Sequence, residues 1–583
     1  MSTTDKSQFP RLTRRQSLQV GAATTAAGLF ASSKLATPAH AKDLRPPQTT
    51  PFVVPLPVYT AKLSVSALNP SPTPYANLAA GECGREPHQR ETNWPSQKYY
   101  TLEVKEAYHS FHPELPRQKI WGFDGILPGP TFVEKYGVPI TVRIYNQLPN
   151  NSFGFGSPEI STHLHNLHCG SESDGYAGDY YSATKFGPTS TAAGAYKDHH
   201  YPNCYAGYDD PRYYYTNGDP REALGTLWYH DHRLDFTGPN CYKGLVGMYL
   251  LFDEIDSGDE LDTNSKALRL PSGVGKYDIP LAFSDKVFDS SGYLAFDQFA
   301  TKGILGNKFC VNGKIQPFFN VERRKYRFRM LDEGPSRFYE FYLTNSAGVN
   351  QSFKQISEDG NLLPVPIAEK KLKLPPAGRS DIVIDFAQYP IGTQLFIVNR
   401  LIQIDGKGPE DAQTNVRGSD GLLTNAGTKI MRFDVYRDPV SPDMSQVPAL
   451  LRALPPINLS EVVATRRFEF DKENEIWTVN GKIFDVETAV AKPRRGTAEI
   501  WILKGKGSWH HPVHIHLEEG RILSRNGQPP LPHEAGRKDV YVLEPNDEVH
   551  VFIRFREFKG KYMMHCHNLT HEDHAMMVRF DVV

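Results

Sequence analysis

Four short clusters hold most of the residues that could do chemistry. They are His163-Leu164-His165, His230-Asp231-His232, His511-Pro512-Val513-His514-Ile515-His516, and His565-Cys566-His567 followed by His571 and Met576. Together they use ten of the 21 histidines. A single His-x-His pair on a strand is usually a surface pair or a satisfied core pair. Four such pairs, with Cys and Met at set offsets, define sites. Successive side chains of a strand point to opposite faces. His565 and His567 therefore share one face and Cys566 takes the other. His514 and His516 share a face, and His511, three positions earlier, falls opposite. Two sites follow. The first holds His511, Cys566, His571 and Met576. The second holds His163, His165, His230, His232, His514, His516, His565 and His567.

The first set is two imidazoles, a thiolate and a thioether, the trigonal set with a weak axial Met that suits copper in electron transfer. The second has eight imidazoles and no acidic ligand. That is too many for one ion and suits three coppers sharing them as three, three and two. Zinc could take the imidazoles, but it gives no reason for a Cys/Met set beside them. The expectation is four copper ions per chain. Cys566 is bonded through the backbone to both His565 and His567, so the chain itself wires one site to the other.

The elements that must position these residues are strands. Val549, Val551, Ile553 and Phe555 alternate with His550, Phe552 and Arg554; Tyr326, Phe328 and Met330 alternate with Arg327 and Arg329; Leu102 and Val104 alternate with Glu103 and Lys105. Asp124-Gly125, Asn312-Gly313 and Asn480-Gly481 punctuate such runs as turns. With 46 Gly and 45 Pro in 583 residues, the composition favours turns and short strands over long helices. This predicts antiparallel β-sandwiches.

Internal echoes set the domain count. Asn312-Gly313-Lys314-Ile315 returns as Asn480-Gly481-Lys482-Ile483. The succession His163/His165 then His230/His232 returns as His514/His516 then His565/His567. Each closing pair precedes an apolar strand, Leu245 to Phe252 and Met576 to Val583. The expected organisation is three β-domains, 42–255, 256–440 and 441–583. The first and last carry the histidines, and the first holds a Tyr-rich insertion over 169–227.

The N-terminus reads as an export signal. Arg14 and Arg15 precede a weakly apolar run from Val20 to Phe30, and Ala39-His40-Ala41 offers a small-x-small cleavage site. Residues 1–41 are therefore expected to be a twin-arginine signal peptide. The twin-arginine export machinery would be a partner, and the mature chain would be periplasmic or extracellular. No later apolar run approaches ~18 residues, so no membrane span is expected in the mature chain. Lys+Arg 65 against Asp+Glu 66 leaves a net charge of −1, so no global basic field points to nucleic acid. Six cysteines are too few for a disulfide-built scaffold.

These motifs resemble three-domain multicopper oxidases, with bilirubin oxidases and bacterial spore-coat laccases the nearest in pattern. The resemblance covers nearly the whole mature chain. It rests on Trp121-Gly122-Phe123-Asp124-Gly125 through Thr131, Trp228 to His232, Gly244 to Gly247, Asn312-Gly313 through Arg329, His511 to Leu517, Lys538-Asp539 and Tyr562 to Met577. It implies three cupredoxin-like Greek-key β-sandwich domains in an all-β fold. It implies a type 1 copper on His511, Cys566, His571 and axial Met576, and a type 2 copper on His163 and His514. One type 3 copper would take His165, His230 and His567, and the other His232, His516 and His565. The cluster would lie between domains one and three. The implied activity is one-electron oxidation of a small-molecule reductant (a phenol, an aromatic amine or a bilirubin-like tetrapyrrole) coupled to four-electron reduction of O2 to water. Asn166 departs from the family pattern, following His165 where Gly is usual; that alters a turn and leaves the ligand in place.

The resemblance also matches Asp174 and Glu572 to acids that relay protons near the cluster. The plain readings are an Asp-Gly turn for Asp174, and ligand support or a surface charge for Glu572. Trp509 reads equally as a substrate edge or a buried aromatic, and His510 as a bystander. His199, His200 and Cys204 read as a solvated loop in preference to a further metal site. Export to an oxidising compartment makes a disulfide among Cys169, Cys204 and Cys241 an expectation, its pairing open. The competing functions are a Mn(II) or Cu(I) oxidase and a non-enzymatic copper-handling protein. With nine Met, four of them in 563–577, the chain has no Met-rich insert of the kind seen in cuprous oxidases.

Overall fold

The computed structural model describes residues 45–151, 154–180 and 190–583. The signal-peptide reading of 1–41 and the stretch 181–189 of the Tyr-rich insertion lie outside the described residues. Six sheets stack as three pairs. In the first pair, one sheet orders Gln118–Phe123, Lys98–His109, Ile140–Asn146 and Tyr196–Tyr201. The other orders Gly129–Lys135, Val246–Phe252, Thr226–Asp231 and Thr162–His165. The second pair, of eight and six strands, runs from Asp278–Phe288 to Thr428–Arg437. The third begins at Val462–Glu473. Its five-stranded sheet orders Ala489–Ala491, Met577–Val582, Gly560–Cys566, His511–Ile515 and Val540–Leu543.

Period-2 patterning builds these elements, and each pair closes over its own apolar core. Leu102, Val104 and Ile144 pack with Leu164 and Tyr249 in the first. Phe328, Met330 and Phe433 pack in the second, and Val551, Ile553 and Phe580 in the third. A fourth cluster mixes residues of all three pairs, among them Trp228, Met248, Ala282, Leu331, Val540 and Leu569. It seals the junction where the histidines meet.

The expected strand pairing needs correction. The sheets are not purely antiparallel: each of the six contains one parallel pair, such as Lys98–His109 beside Ile140–Asn146 and Gly129–Lys135 beside Val246–Phe252. At each parallel pair the chain crosses between layers before returning, so spatial neighbours can run the same way, while consecutive strands such as Gly560–Cys566 and Met577–Val582 still pair antiparallel. Both sides of the Lys325–Asp332 strand are buried. Arg327 and Arg329 are buried because their face meets the first sheet pair. Arg329 clamps Asp278 through two bonds of 2.7 and 2.8 Å and donates to the Thr226 hydroxyl at 2.9 Å. Arg327 holds Asp256 and Asp381, and Asp381 accepts from Thr226 at 2.8 Å.

The described part of the Tyr-rich insertion is held in the fold. Tyr196–Tyr201 is a wholly buried edge strand, so His199 and His200 do not lie in a solvated loop. His199 donates through Nδ1 to the Ser173 carbonyl at 3.1 Å. The expected disulfide is not formed: all six cysteines are free and buried. Cys169, Cys204 and Cys241 pack in three different apolar clusters.

The buried ion cluster yields a stability test. Arg329→Ala leaves Asp278 buried without its counter-charge, a loss of about 3–5 kcal/mol. Arg467→Ala, on a side chain 44% exposed beside Glu469 and Glu548, should change stability by no more than about 0.5 kcal/mol. Calorimetric melting is expected to show a clear drop for the first and none for the second.

Candidate metal centres

Strand register brings the histidines into opposed pairs. Thr162–His165 runs antiparallel to Thr226–Asp231, with His163 opposite His230. His511–Ile515 runs antiparallel to Gly560–Cys566, with His514 opposite His565 and Val513 opposite Cys566. The two sheets then meet across the junction of the first and third pairs. His163 stacks on His516 with ring centroids 3.9 Å apart, and His165 stacks on His514 at 3.7 Å. His567 lies 5.4 Å, ring to ring, from both His165 and His230. The Nε2 atoms of His232, His516 and His565 are separated by only 3.1–3.3 Å. All eight rings are buried.

Each ring is aimed by what its far nitrogen holds. Nδ1 of His163, His230 and His514 donates to the carbonyls of Asp174, Asp231 and Asp539 at 2.5, 2.8 and 3.0 Å. Nδ1 of His516 donates to Asp174 Oδ2 at 2.8 Å. Nδ1 of His232 and of His565 lie 3.2 and 3.1 Å from the two oxygens of Glu572. These contacts fix the tautomer and turn Nε2 inward. His165 is reversed: its Nε2 faces Asp539 Oδ1 at 3.2 Å, which leaves Nδ1 for the site.

The donor set fits metal ions. Nε2 of His163, His230 and His514, Nδ1 of His165 and both nitrogens of His567 have no hydrogen-bond partner among the described residues. Converging buried lone pairs are costly unless a cation meets them. Burial pushes these histidines well below the ordinary imidazole value, into the neutral form that binds metal. The point equidistant from Nε2 of His232, His516 and His565 lies about 1.9 Å from each, close to the ~2.0–2.1 Å of an imidazole–metal bond.

The second site lies across the strand. Cys566 Sγ is 3.5 Å from Nδ1 of His511 and 3.5 Å from Nδ1 of His571. Here the far nitrogen of His571 is Nε2, which donates to the Lys302 carbonyl at 2.8 Å. Met576 is buried in the same core, and its N–H donates to the His571 carbonyl at 3.0 Å. Burial pushes the Cys566 thiol up, so a bound cation is what would release its proton. Burial also drives His511 down to about 3.

The carboxylates sit where they orient ligands. Asp174, on the short helix Ser171–Asp174, is fully buried, and burial pushes its carboxyl well up. Glu572 is fully buried between His232 and His565, so the surface-charge reading is wrong. Asn166 has φ 68, a left-handed conformation that Asn tolerates, which explains how it stands where Gly is usual. Trp509 is only 8% exposed and packs edge-on to Trp477 and His571, and His510 points instead to the Lys407 carbonyl.

Sequence reasoning missed three contributors. Asp539 holds His165 and His514 while its carboxylate is clamped by Arg379, with one bond of 2.7 Å. Trp477 stacks on His571 with centroids 3.8 Å apart. Nothing in their spacing from the histidines marks either one, or Arg379. Tertiary packing alone brings them in.

Comparisons agree with this geometry. A family profile described as "Multicopper oxidase" matches residues 457–583. The chain is 35% identical over 494 residues to a bilirubin oxidase of Albifimbria verrucaria, covering 83% of this chain and 76% of that protein. It is 29% identical over 538 residues to a laccase of Bacillus stratosphericus, covering 84% and 96%. The crystal structure of a laccase from Pediococcus acidilactici superposes with a TM-score of 0.70 over 92% of this chain and 96% of that one. At 19% identity that is a likeness of fold, and it matches the all-β, cupredoxin-like expectation.

Asp539→Asn tests the orienting role. It removes the charge facing His165 and leaves Arg379 buried without its partner. Metal affinity at the histidine cluster is expected to fall about 10–100-fold. Copper analysis after dialysis against a chelator should show cluster copper lost and the Cys566 site retained.

Proposed function

The chain belongs to the multicopper oxidase family, and on that premise we propose that it oxidises phenols, aromatic amines or bilirubin-like tetrapyrroles one electron at a time while O2 is reduced to two waters. The single observation that carries this reading is the pairing of a buried Cys566/His511/His571 set with an eight-histidine set through the backbone of His565-Cys566-His567. A carrier or store needs only the first. Copper supplies the one-electron and four-electron redox chemistry when bound.

We assign His511, Cys566, His571 and Met576 to the type 1 ion and His163 and His514 to the type 2 ion. The type 3 pair would use His165, His230 and His567 on one side and His232, His516 and His565 on the other. Asp174 can hold a proton inside the site: its Oδ2 accepts from His516, and its Oδ1, 3.5 Å from His163 Nδ1, has no hydrogen-bond partner among the described residues. Glu572 braces His232 and His565 from the other side, and its oxygens can pass a proton only by releasing those rings. Folded export by the twin-arginine route, with copper held outside the cytoplasm, completes the reading; it rests on Arg14-Arg15 and the apolar run that follows.

Two experiments test the reading. O2 uptake by the copper-loaded protein, offered bilirubin, a simple phenol and Mn(II) in parallel, is expected with bilirubin or the phenol. Uptake with Mn(II) alone would move the substrate class to metal ions. Asp174→Asn is expected to slow reoxidation by O2 about 10²-fold or more while the blue absorption stays intact. Unchanged turnover would remove the proton role.

A further inference from the structure

The Tyr-rich insertion supplies no proposed copper ligand, yet it builds one wall of a cavity of about 940 Å³ that none of those ligands lines. That volume is at the upper end of the ~300–1,000 Å³ of ligand pockets. Local structure sets the wall. Asp210 caps the short 3₁₀ helix Pro211–Thr216, its carboxylate accepting from the Arg212 N–H at 2.9 Å, and Asn217 closes it in the left-handed conformation. Tyr213 is held there by Arg221, which donates to its hydroxyl at 2.7 Å. Its neighbours Tyr214 and Tyr215 project outward, 73% and 96% exposed, and Tyr215 stands at the cavity. Further rings line it. Trp94 packs edge-on to Tyr208 with centroids 4.6 Å apart, and Tyr205 stacks on Tyr136 at 4.3 Å. The facing wall is tied to the insertion by buried Arg452, which donates to the Pro220 carbonyl at 2.6 Å and to Asp253 Oδ1 at 2.9 Å. A single exposed ring is ordinary; several around one braced, open cavity mark a binding surface.

The charges narrow the ligand. Arg452 neutralises Asp253. What remains in the lining is Lys135 and Lys266 against Glu254 and Asp262, with Lys266 3.8 Å from Glu254. The balance is even, so no field selects an ion. Asn93, Gln97 and Asn217 add planar amides. Flat carbon rings beside amides and carboxylates match a pyranose. Its C–H face lies on a ring, and its hydroxyls donate to carboxylates and exchange hydrogen bonds with amides. A purely aromatic ligand would strip water from those polar groups and leave them unpaired. We propose that this cavity is a saccharide-binding cleft, which takes an uncharged oligosaccharide and holds the oxidase against a polysaccharide. This goes beyond the redox reading and does not depend on it.

Titration calorimetry on the whole copper-loaded protein tests it. The probes are the neutral hexaoses of cellulose, xylan, amylose and chitin, with an oligogalacturonate and a fully methylated lignin-model dimer, which has no phenol to oxidise. At least one neutral hexaose is expected to bind saturably, and more tightly than the acidic sugar or the aromatic dimer. Tyr215→Ala is expected to weaken that binding about tenfold or more, and Tyr215→Phe, which keeps the ring face, to stay within about twofold of the parent. The melting temperature and O2 uptake with a simple phenol should not change in Tyr215→Ala, because that side chain packs against little and touches no copper ligand. No binding of any of the four neutral hexaoses would overturn the proposal. So would binding that neither Tyr215→Ala nor Tyr208→Ala weakens, since the sugar would then sit elsewhere. Tighter binding of the methylated dimer would overturn it in favour of an aromatic ligand, and tighter binding of the oligogalacturonate in favour of an anion.

Discussion

Three imidazole lone pairs, on His232, His516 and His565, converge to within 3.1–3.3 Å of one another in a fully buried site. Nothing in a neutral protein favours that arrangement. Three acceptors facing one another repel, and burial lowers the proton affinity of His232 and His516, so neither readily takes the proton that would turn it into a donor. The rings stay in place because their far nitrogens are held: His516 by Asp174, His232 and His565 by Glu572. Two carboxylates thus hold open a site that only a cation completes. Their burial costs free energy in the apo protein, and metal binding offsets it.

The site also requires two sheet pairs to stay in one relative position. His163 and His516 stack across the junction, as do His165 and His514, so a small slip would break both contacts. Charge buried at the junctions resists such a slip. Arg379 comes from the second sheet pair and Asp539 from the third; their pair is fully buried and also fixes His165. Arg327 and Arg329 do the same between the second pair and the first, through Asp381 and Thr226. Removing any one partner strands a charge. These junctions therefore resist movement more than apolar contacts of the same area would, because buried ion pairs are directional.

The sequence makes the ligand faces legible for a simple reason: strand geometry has a period of two. His565 and His567 on one side of Cys566, and His511 opposite His514, follow from that period alone, and the strands pair His514 with His565 and Val513 with Cys566. Asp174 and Glu572 are visible only through resemblance, since each stands outside its strand. Arg379 and Trp477 are invisible, and Asp539 shows only within the Lys538-Asp539 resemblance with no role attached, because each acts from a different sheet pair or a different end of its own, and no local pattern encodes that encounter. The burial of Arg327 and Arg329 is equally illegible in the sequence: alternation marks which side chains face the core, but it cannot tell water from a second domain.

The two centres differ in which imidazole nitrogen is free, and the difference follows from the backbone. On the Cys566 side, His511 and His571 present Nδ1 to sulfur. In the cluster, His163, His230 and His514 give Nδ1 to carbonyls and present Nε2. Nε2 projects farther from the chain than Nδ1. Rings that must reach a point between two sheets use the long arm, and the rings that close on the Cys566 thiol, one from the neighbouring strand and one from the short helix Leu569–Asp573, use the short one. His165 is the exception that tests the rule. It stacks directly on His514, so it is already near the centre, and there Asp539 takes its long arm and leaves the short one inward. Reach, set by where each strand ends, therefore decides the tautomer at each position, and the carbonyls and carboxylates around each ring enforce that choice.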